Sequence, residues 1–141
     1  MNCFICSKYQ GDYPHQAITE LGGMALSHFA PGDNGLAMKG RLLIEPIHHV
    51  TQPEELTSNE FANMGMLLQK SMVALKKVVG AEHVYFFRIN DLVPHFHFHV
   101  VPRYPGTPKE FWGLNIINWL DYPKLNLQEI QDLSLWIRGQ I

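Results

Sequence analysis

The stretch "HFHFHVVPR", His95 to Arg103, alternates polar and apolar side chains with a period of two. This period is typical of a β-strand, in which successive side chains point to opposite faces of the sheet. Three of the chain's eight histidines therefore share one strand face, and the apolar residues Phe96, Phe98 and Val100 share the other. We expect the apolar face to pack on the core and the histidine face to line an exposed cleft.

One helix is predicted before this strand and another after it. Thr57 and Glu60 have capping-box spacing, and apolar residues then recur every three or four positions as far as Gly80. Asn126 and Glu129 repeat the capping pattern before a second apolar stripe. Further short strands are predicted within 22–29, 41–46 and 83–89. The order of strands, helix, strands, helix indicates an α+β domain, with a mostly antiparallel sheet, one long helix and a C-terminal helix.

Length and composition limit the class of protein. A chain of 141 residues predicts a single domain over 1–141, in which 105–141 forms a C-terminal loop and helix extension. The net charge of −2 gives no electrostatic reason to expect a nucleic-acid polymer or an anionic membrane as partner. No apolar run approaches the roughly 20 residues of a membrane span, and the first residues lack a signal-peptide pattern. We therefore expect a cytoplasmic protein.

The two cysteines, Cys3 and Cys6, have C-x-x-C spacing. In a reducing compartment this spacing favours a metal or redox pair over a structural disulfide. The alternative is that they are two cysteines without a special role near a chain end.

Three imidazoles side by side suit two kinds of chemistry. A neutral imidazole is a metal ligand, and near neutral pH it is also a nucleophile or a general base. Neighbouring imidazoles disfavour each other's protonation, so at least one stays neutral. The alternative is a chance cluster of polar side chains on a solvated strand face.

Residues 95–101 resemble the H-φ-H-φ-H-φ-φ signature of the histidine triad (HIT) family, where φ is apolar. "CFIC" at 3–6, "LLIEPIHHV" at 42–50 and "VPR" at 101–103 resemble its bacterial zinc-binding members, and the similarity extends over about residues 1–104. The resemblance implies a hydrolase or nucleotidyl transferase acting at the α-phosphate of a nucleotide conjugate, either a dinucleoside polyphosphate or a nucleoside phosphoramidate. His97 would form a covalent nucleotidyl-histidine, and His99 would contact the phosphate or help to protonate the leaving group. A homodimer is also implied.

The resemblance further implies a structural zinc ion, with no cofactor needed for the chemical step. Its ligands would be Cys3, Cys6, His49 and His95, a closed tetrahedral set. His48 is the alternative to His49, because one related family shifts this ligand by one residue.

Several positions depart from the family pattern. Asp91 and Leu92 stand where the family has phosphate-binding Gln and Ser or Thr, although Asn90 matches the family's asparagine. His28 replaces an acidic residue that binds the ribose, and Arg41 replaces a customary histidine. The predicted substrate-binding residues are Asn90, His28 and Arg103. Other candidates are Asp33 or Asn34 for the ribose and Trp112 for the pocket edge, while the alternative for Arg103 is a surface ion pair.

Two other functions compete with the hydrolase. The altered phosphate loop favours a non-catalytic nucleotide-binding or adaptor protein with a degenerate pocket. Three histidines on one face also suit a metalloenzyme in which all three bind one catalytic metal. This last function leaves the C-x-x-C pair unexplained.

Overall fold

The computed structural model describes residues 3–10, 17–89 and 91–141. Its helices are α1 (Phe4–Tyr9), α2 (Ser58–Val78) and α3 (Leu127–Arg138), with 3-10 turns at Pro53–Glu55, Lys109–Phe111 and Gly113–Asn118. Its strands are β1 (Thr19–Leu21), β2 (Met24–His28), β3 (Ala37–Met38), β4 (Leu42–Pro46), β5 (His83–Phe87), β6 (Phe98–Arg103) and β7 (Lys124–Leu125).

Five strands form one sheet in the order β1-β2-β4-β6-β5, and every neighbouring pair is antiparallel. The two-residue strands β3 and β7 form a separate antiparallel pair. In the main sheet His99 on β6 lies opposite Leu43 on β4 and Phe87 on β5. The predicted α+β class with a mostly antiparallel sheet is confirmed.

The long helix α2 covers one face of the sheet. The predicted capping box is present in both directions, between Thr57 and Glu60, and the helix continues for 21 residues. Its buried side chains share a core with the apolar face of the histidine strand and with the C-terminal helix. The core residues from these elements include Met64, Leu67, Leu75, Phe96, Val100, Leu133 and Ile137.

The histidine strand begins later than its alternation predicts. Regular pairing starts at Phe98 rather than at His95. The reason is that the backbone N–H of Phe96 donates to the carbonyl of Val50, 2.6 Å away, in the loop after β4. This contact draws His95 out of the sheet ladder and toward that loop.

The short helix α1 lies against the opposite face of the sheet through a buried polar cluster. Lys8 forms an ion pair with Glu45 of β4, and its ammonium also donates to Ser27 of β2, 3.1 Å away. The hydroxyl of Tyr9 donates to the same carboxylate. Glu45 is fully buried, and its Oε2 has no partner among the described residues. The cluster therefore fixes α1 on the sheet through charge.

Replacing Lys8 by Met should lower the free energy of unfolding by about 3 kcal/mol, because it leaves a buried carboxylate without its counter-charge. The matched control is Glu82→Gln, which breaks the more exposed pair with Arg103. That change should cost less than about 1 kcal/mol. Urea unfolding of both variants measures the difference, and equal effects would contradict the importance of the buried pair.

None of the helices in the described part of the chain is long and apolar enough to cross a bilayer.

Candidate active site and metal centre

Four side chains predicted as zinc ligands come together at the N-terminus of α1. The donor atoms of Cys3, Cys6, His49 and His95 all lie within 4.8 Å of one another. Nδ1 of His95 is 3.4 Å from Sγ of Cys3 and 3.5 Å from Sγ of Cys6, and Nδ1 of His49 is 3.4 Å from Sγ of Cys6. Zinc bonds of 2.0–2.3 Å give a tetrahedron with edges of about 3.5 Å. The spacing therefore fits a tetrahedral zinc ion.

The protonation of His95 also fits a metal ligand. Its Nε2–H donates to the carbonyl of Pro46, 2.8 Å away, so Nδ1 carries the free lone pair. Burial, as the largest cause, lowers the pKa of His95 and keeps the ring neutral. Burial and the neighbouring Cys3 raise the pKa of the Cys6 thiol, so a bound cation is needed to stabilise its thiolate.

The structure brings His49 rather than His48 to the thiols. Nε2 of His48 lies 2.7 Å from a carboxylate oxygen of Glu60 on α2, and its side chain is 57% exposed. His49 and His95 instead contact each other edge to face, with ring centroids 5.1 Å apart.

His97 is held as an imidazole with its lone pair on Nε2. Its Nδ1 lies 2.8 Å from the backbone carbonyl of His95, which can only accept, so Nδ1 carries the proton. Nε2 is then the basic nitrogen, and the half-buried ring lines a cavity. This is the form of histidine that attacks an electrophile.

His99 carries its proton on Nε2, the nitrogen that holds the lone pair in His97. Its Nδ1 lies 3.3 Å from Nη2 of Arg41, and because a guanidinium has no acceptor, Nδ1 accepts and Nε2 carries the proton. The ring stacks on Phe87 with centroids 5.0 Å apart and meets His97 edge to face at 5.0 Å. Burial, followed by the charges of Arg41 and His97, lowers the pKa of His99 to about 3.

This shift predicts a pH dependence of stability. The unfolded chain binds a proton at His99 near the ordinary pKa of 6.5, whereas the folded chain does so only near 3. The contribution of His99 is therefore complete above pH 6.5 and is lost as the pH falls toward 3. Between pH 6.5 and 5 the loss should be about 1.6 kcal/mol. Urea unfolding of wild type and His99→Asn at several pH values measures this loss as a difference in the slope of unfolding free energy against pH. The four candidate metal ligands are the same in both proteins, so their titration cancels in the comparison. Identical slopes would show that His99 titrates normally.

A cavity of about 330 Å³ adjoins both histidines, at the lower end of the ~300–1,000 Å³ range for small-molecule sites. Its lining is mainly apolar and also includes the charged side chains of Lys8, Arg41 and Asp91. The apolar walls come from α1, the end of β2, β4, the loop before the triad and the 3-10 turn 113–118. They include Phe4, Phe29, Leu43, Val93 and Ile117. Such a cavity suits a ligand whose aromatic part lies against the apolar walls and whose charged part lies at the imidazoles.

Two of the predicted substrate-binding residues, His28 and Arg103, do not line this cavity. His28 is buried, with Nδ1–H donating to the carbonyl of Phe29 at 2.8 Å and Nε2 accepting from the N–H of Gly40 at 2.9 Å. It ties together the two ends of the loop between β2 and β4, and its part in substrate binding stays a prediction. Asn90 lies outside the described residues.

Arg103 lies four residues along β6 from His99, a strand distance of about 13 Å. Its Nε donates to Glu82 at 2.9 Å, its Nη1 donates to the hydroxyl of Tyr85 at 2.7 Å, and its guanidinium lies 3.7 Å from the ring centroid of Trp112. This placement fits the surface ion-pair alternative. Neither Arg103 nor Trp112 lines the cavity.

Sequence reasoning assigned no role to Arg41 or Ile117, and both line the cavity. The position of Arg41 in the sequence could have indicated a role at the site, because this arginine stands directly before the apolar strand β4, which pairs with the histidine strand. No sequence pattern indicates Ile117, because the 3-10 turn that contains it has no periodic pattern.

The antiparallel sheet, the covering helix and the histidine strand define the fold of the histidine triad class. Over its whole length the chain is 29% identical to adenosine 5'-monophosphoramidase hnt1 of Schizosaccharomyces pombe, covering 99% of that protein. It is 27% identical to an uncharacterized HIT-like protein of Methanocaldococcus jannaschii, over 74% of this chain and 81% of that protein.

Solved structures share the fold. A zinc-bound histidine triad family protein from Mycobacterium smegmatis superposes with a TM-score of 0.73 at 21% identity, covering 99% of this chain and 95% of that one. No protein-family model matches the chain. The names of the relatives and the shared fold support assignment to the histidine triad family. The bacterial zinc-binding type stays a prediction, because these two relatives come from a fission yeast and an archaeon.

Proposed function

We propose that the protein is a nucleotide hydrolase that acts at the α-phosphate of a nucleotide conjugate, with a nucleoside phosphoramidate favoured over a dinucleoside polyphosphate. The observation that carries the proposal is the hydrogen bond from His97 Nδ1–H to the His95 carbonyl, which leaves Nε2 as a nucleophile beside the cavity. The similarity to a relative named adenosine 5'-monophosphoramidase supports the phosphoramidate as substrate.

The chemistry proceeds in two displacements. The lone pair of His97 Nε2 attacks the α-phosphorus, a new phosphorus–nitrogen bond forms, and the bond to the leaving amine breaks with the electron pair going to that amine. A water molecule then attacks the same phosphorus. The histidine recovers its electron pair, the water's proton passes to solvent and the nucleoside monophosphate is released. Splitting one difficult step into two easier ones is the advantage of covalent catalysis.

His99 acts in this scheme as a hydrogen-bond donor. It is neutral and holds a single ring proton, on Nε2. Transfer of that proton would leave an imidazolate, so the ring instead donates a hydrogen bond to a phosphate oxygen. The leaving amine takes its proton from solvent. Aimed donors of this kind stabilise charge that develops in the transition state.

Zinc at Cys3, Cys6, His49 and His95 would have a structural role. When bound, the ion supplies a tetrahedral cross-link between α1, the loop after β4 and the segment before β6. The carbonyl of His95 holds His97, so fixing His95 also fixes the nucleophile. We further propose a cytoplasmic location, since thiolate ligands persist in a reducing compartment. A homodimer is proposed too, since β5 is an edge strand with Phe86 exposed.

The test is incubation with a fluorogenic adenosine phosphoramidate and, separately, with diadenosine tetraphosphate. We expect faster turnover of the phosphoramidate, with no immediate loss when a chelator is added to the folded protein. Nucleotide binding without turnover of either compound would instead support a non-catalytic nucleotide-binding protein, an alternative favoured by Asp91 at the cavity. A catalytic metal held by all three histidines is not supported, since both ring nitrogens of His95 are engaged elsewhere, Nδ1 at the two thiols and Nε2 at the Pro46 carbonyl.

A further inference from the structure

Arg41 is a half-buried cationic side chain that lines the cavity. Its guanidinium carbon lies 4.0 Å from the ring centroid of Phe29, and its Nη1 contacts the sulfur of Met38 at 3.6 Å. Its Nε is buried and has no hydrogen-bond partner among the residues that the structure describes. Within residues 3–10, 17–89 and 91–141, no carboxylate lies at ion-pair distance from this guanidinium. The side chain is therefore not explained as one half of a salt bridge.

We propose that Arg41 is a positioning residue that holds His99 as the Nε2–H tautomer, so that its proton faces the α-phosphate of the substrate. The proposal rests on the function proposed above, and it concerns a residue for which sequence reasoning gave no role. Nη2 of Arg41 reaches the Nδ1 of His99 and can only donate to it. The two tautomers of a free imidazole are close in energy, so one hydrogen bond to a charged donor favours one of them by about tenfold or more.

Two aromatic rings keep His99 in the orientation that this hydrogen bond requires. Phe87 stacks on it with an interplanar angle of 16°, and Phe29, which also packs on Arg41, lies 6.2 Å from it between centroids. Arg41 also contributes to the lowered pKa of His99, after burial, and so keeps the ring uncharged. The guanidinium thus selects the nitrogen that is protonated and, together with burial, keeps the ring neutral.

The direct test is the tautomer of His99 in the free protein, read from long-range ¹H–¹⁵N correlations of its ring nitrogens. In wild type we expect protonation at Nε2. In Arg41→Met we expect at least half of the population to shift to Nδ1–H, and in Arg41→Lys, which keeps a cationic donor, a smaller shift. His28 is the internal control, since its backbone contacts hold the opposite tautomer, with the proton on Nδ1. Unchanged His28 signals in both variants would show that the fold is intact.

Kinetics tests whether Arg41 acts through His99. Arg41→Met should lower kcat for the phosphoramidate by about 10- to 100-fold, the range typical of lost positioning. In a His99→Ala background the same substitution should change kcat less than twofold. An unchanged His99 tautomer in Arg41→Met would overturn the proposal, as would equal losses of kcat in both backgrounds. The tautomer measurement needs no turnover, so it distinguishes a failure of this proposal from a failure of the proposed hydrolase function.

Discussion

Replacing His97 by alanine should lower kcat for an adenosine phosphoramidate by at least about a thousandfold, because it removes the nitrogen that attacks phosphorus. Donors around the phosphate remain in place, so any residual rate reflects binding and charge stabilisation alone. The variant should fold and bind zinc like wild type, since within the described part of the chain the side chain of His97 bonds to the backbone of its neighbour His95 and not to a distant element. A continuous assay of amine release measures the effect.

The matched control is His83→Ala. His83 is also a histidine, but it is exposed and belongs to edge strand β5, away from the cavity lining. Its replacement should leave kcat within a factor of about two, as expected for a surface change. If His97→Ala kept a rate near that of His83→Ala, the attacking group would have to be sought elsewhere.

Loss of a zinc ligand should have the largest effect on stability. Cys6→Ser and His49→Ala each remove one donor of a closed four-ligand set. We expect each purified variant to lose about one molar equivalent of zinc and about 4 kcal/mol or more of unfolding free energy, as for a ligand present at ~1,000 times its Kd. Elemental analysis and urea unfolding measure the two quantities.

His48→Ala separates the two candidate ligands. Its ring contacts Glu60 rather than the thiols, so zinc content should stay at the wild-type level. Loss of zinc from His48→Ala with retention in His49→Ala would contradict the arrangement described here.

The sequence predicted the histidine face better than the start of its strand. Alternation placed His95, His97 and His99 on one exposed face and Phe96 and Val100 in the core. His97 and His99 do line one cavity and the two apolar residues are in the core, but His95 is fully buried beside the cysteines. Alternation did not reveal that the N–H of Phe96 bonds to Val50, which lies 46 positions earlier in the chain. A local pattern reports which face a side chain occupies, but not where its backbone finds a distant partner.

Features that depend on contacts between residues distant in sequence were harder to predict. Helix α1 has only six residues, too few for a helical period, and it is fixed by Lys8 reaching Glu45 and by the cysteines. Strands β3 and β7 have two residues each, and Ala37 pairs with Leu125. The contact of Arg41 with His99 likewise joins two segments that are distant in sequence.

The candidate metal centre and the proposed nucleophile are linked by a single residue. The ring of His95 belongs to the group of four candidate ligands, while its backbone carbonyl accepts the hydrogen bond from Nδ1–H of His97. Loss of a metal ligand should therefore also affect catalysis, by changing the orientation of His97.

Mass spectrometry of the reacting enzyme tests the central claim most directly. Phosphoramidate substrate is mixed with excess enzyme, quenched within milliseconds in alkali, where a phosphorus–imidazole bond survives, and digested. Covalent catalysis predicts one nucleotidyl group on the peptide that contains His97, localised to that ring and absent from His97→Ala. Turnover with no adduct at any quench time, or with the adduct on another residue, would contradict it.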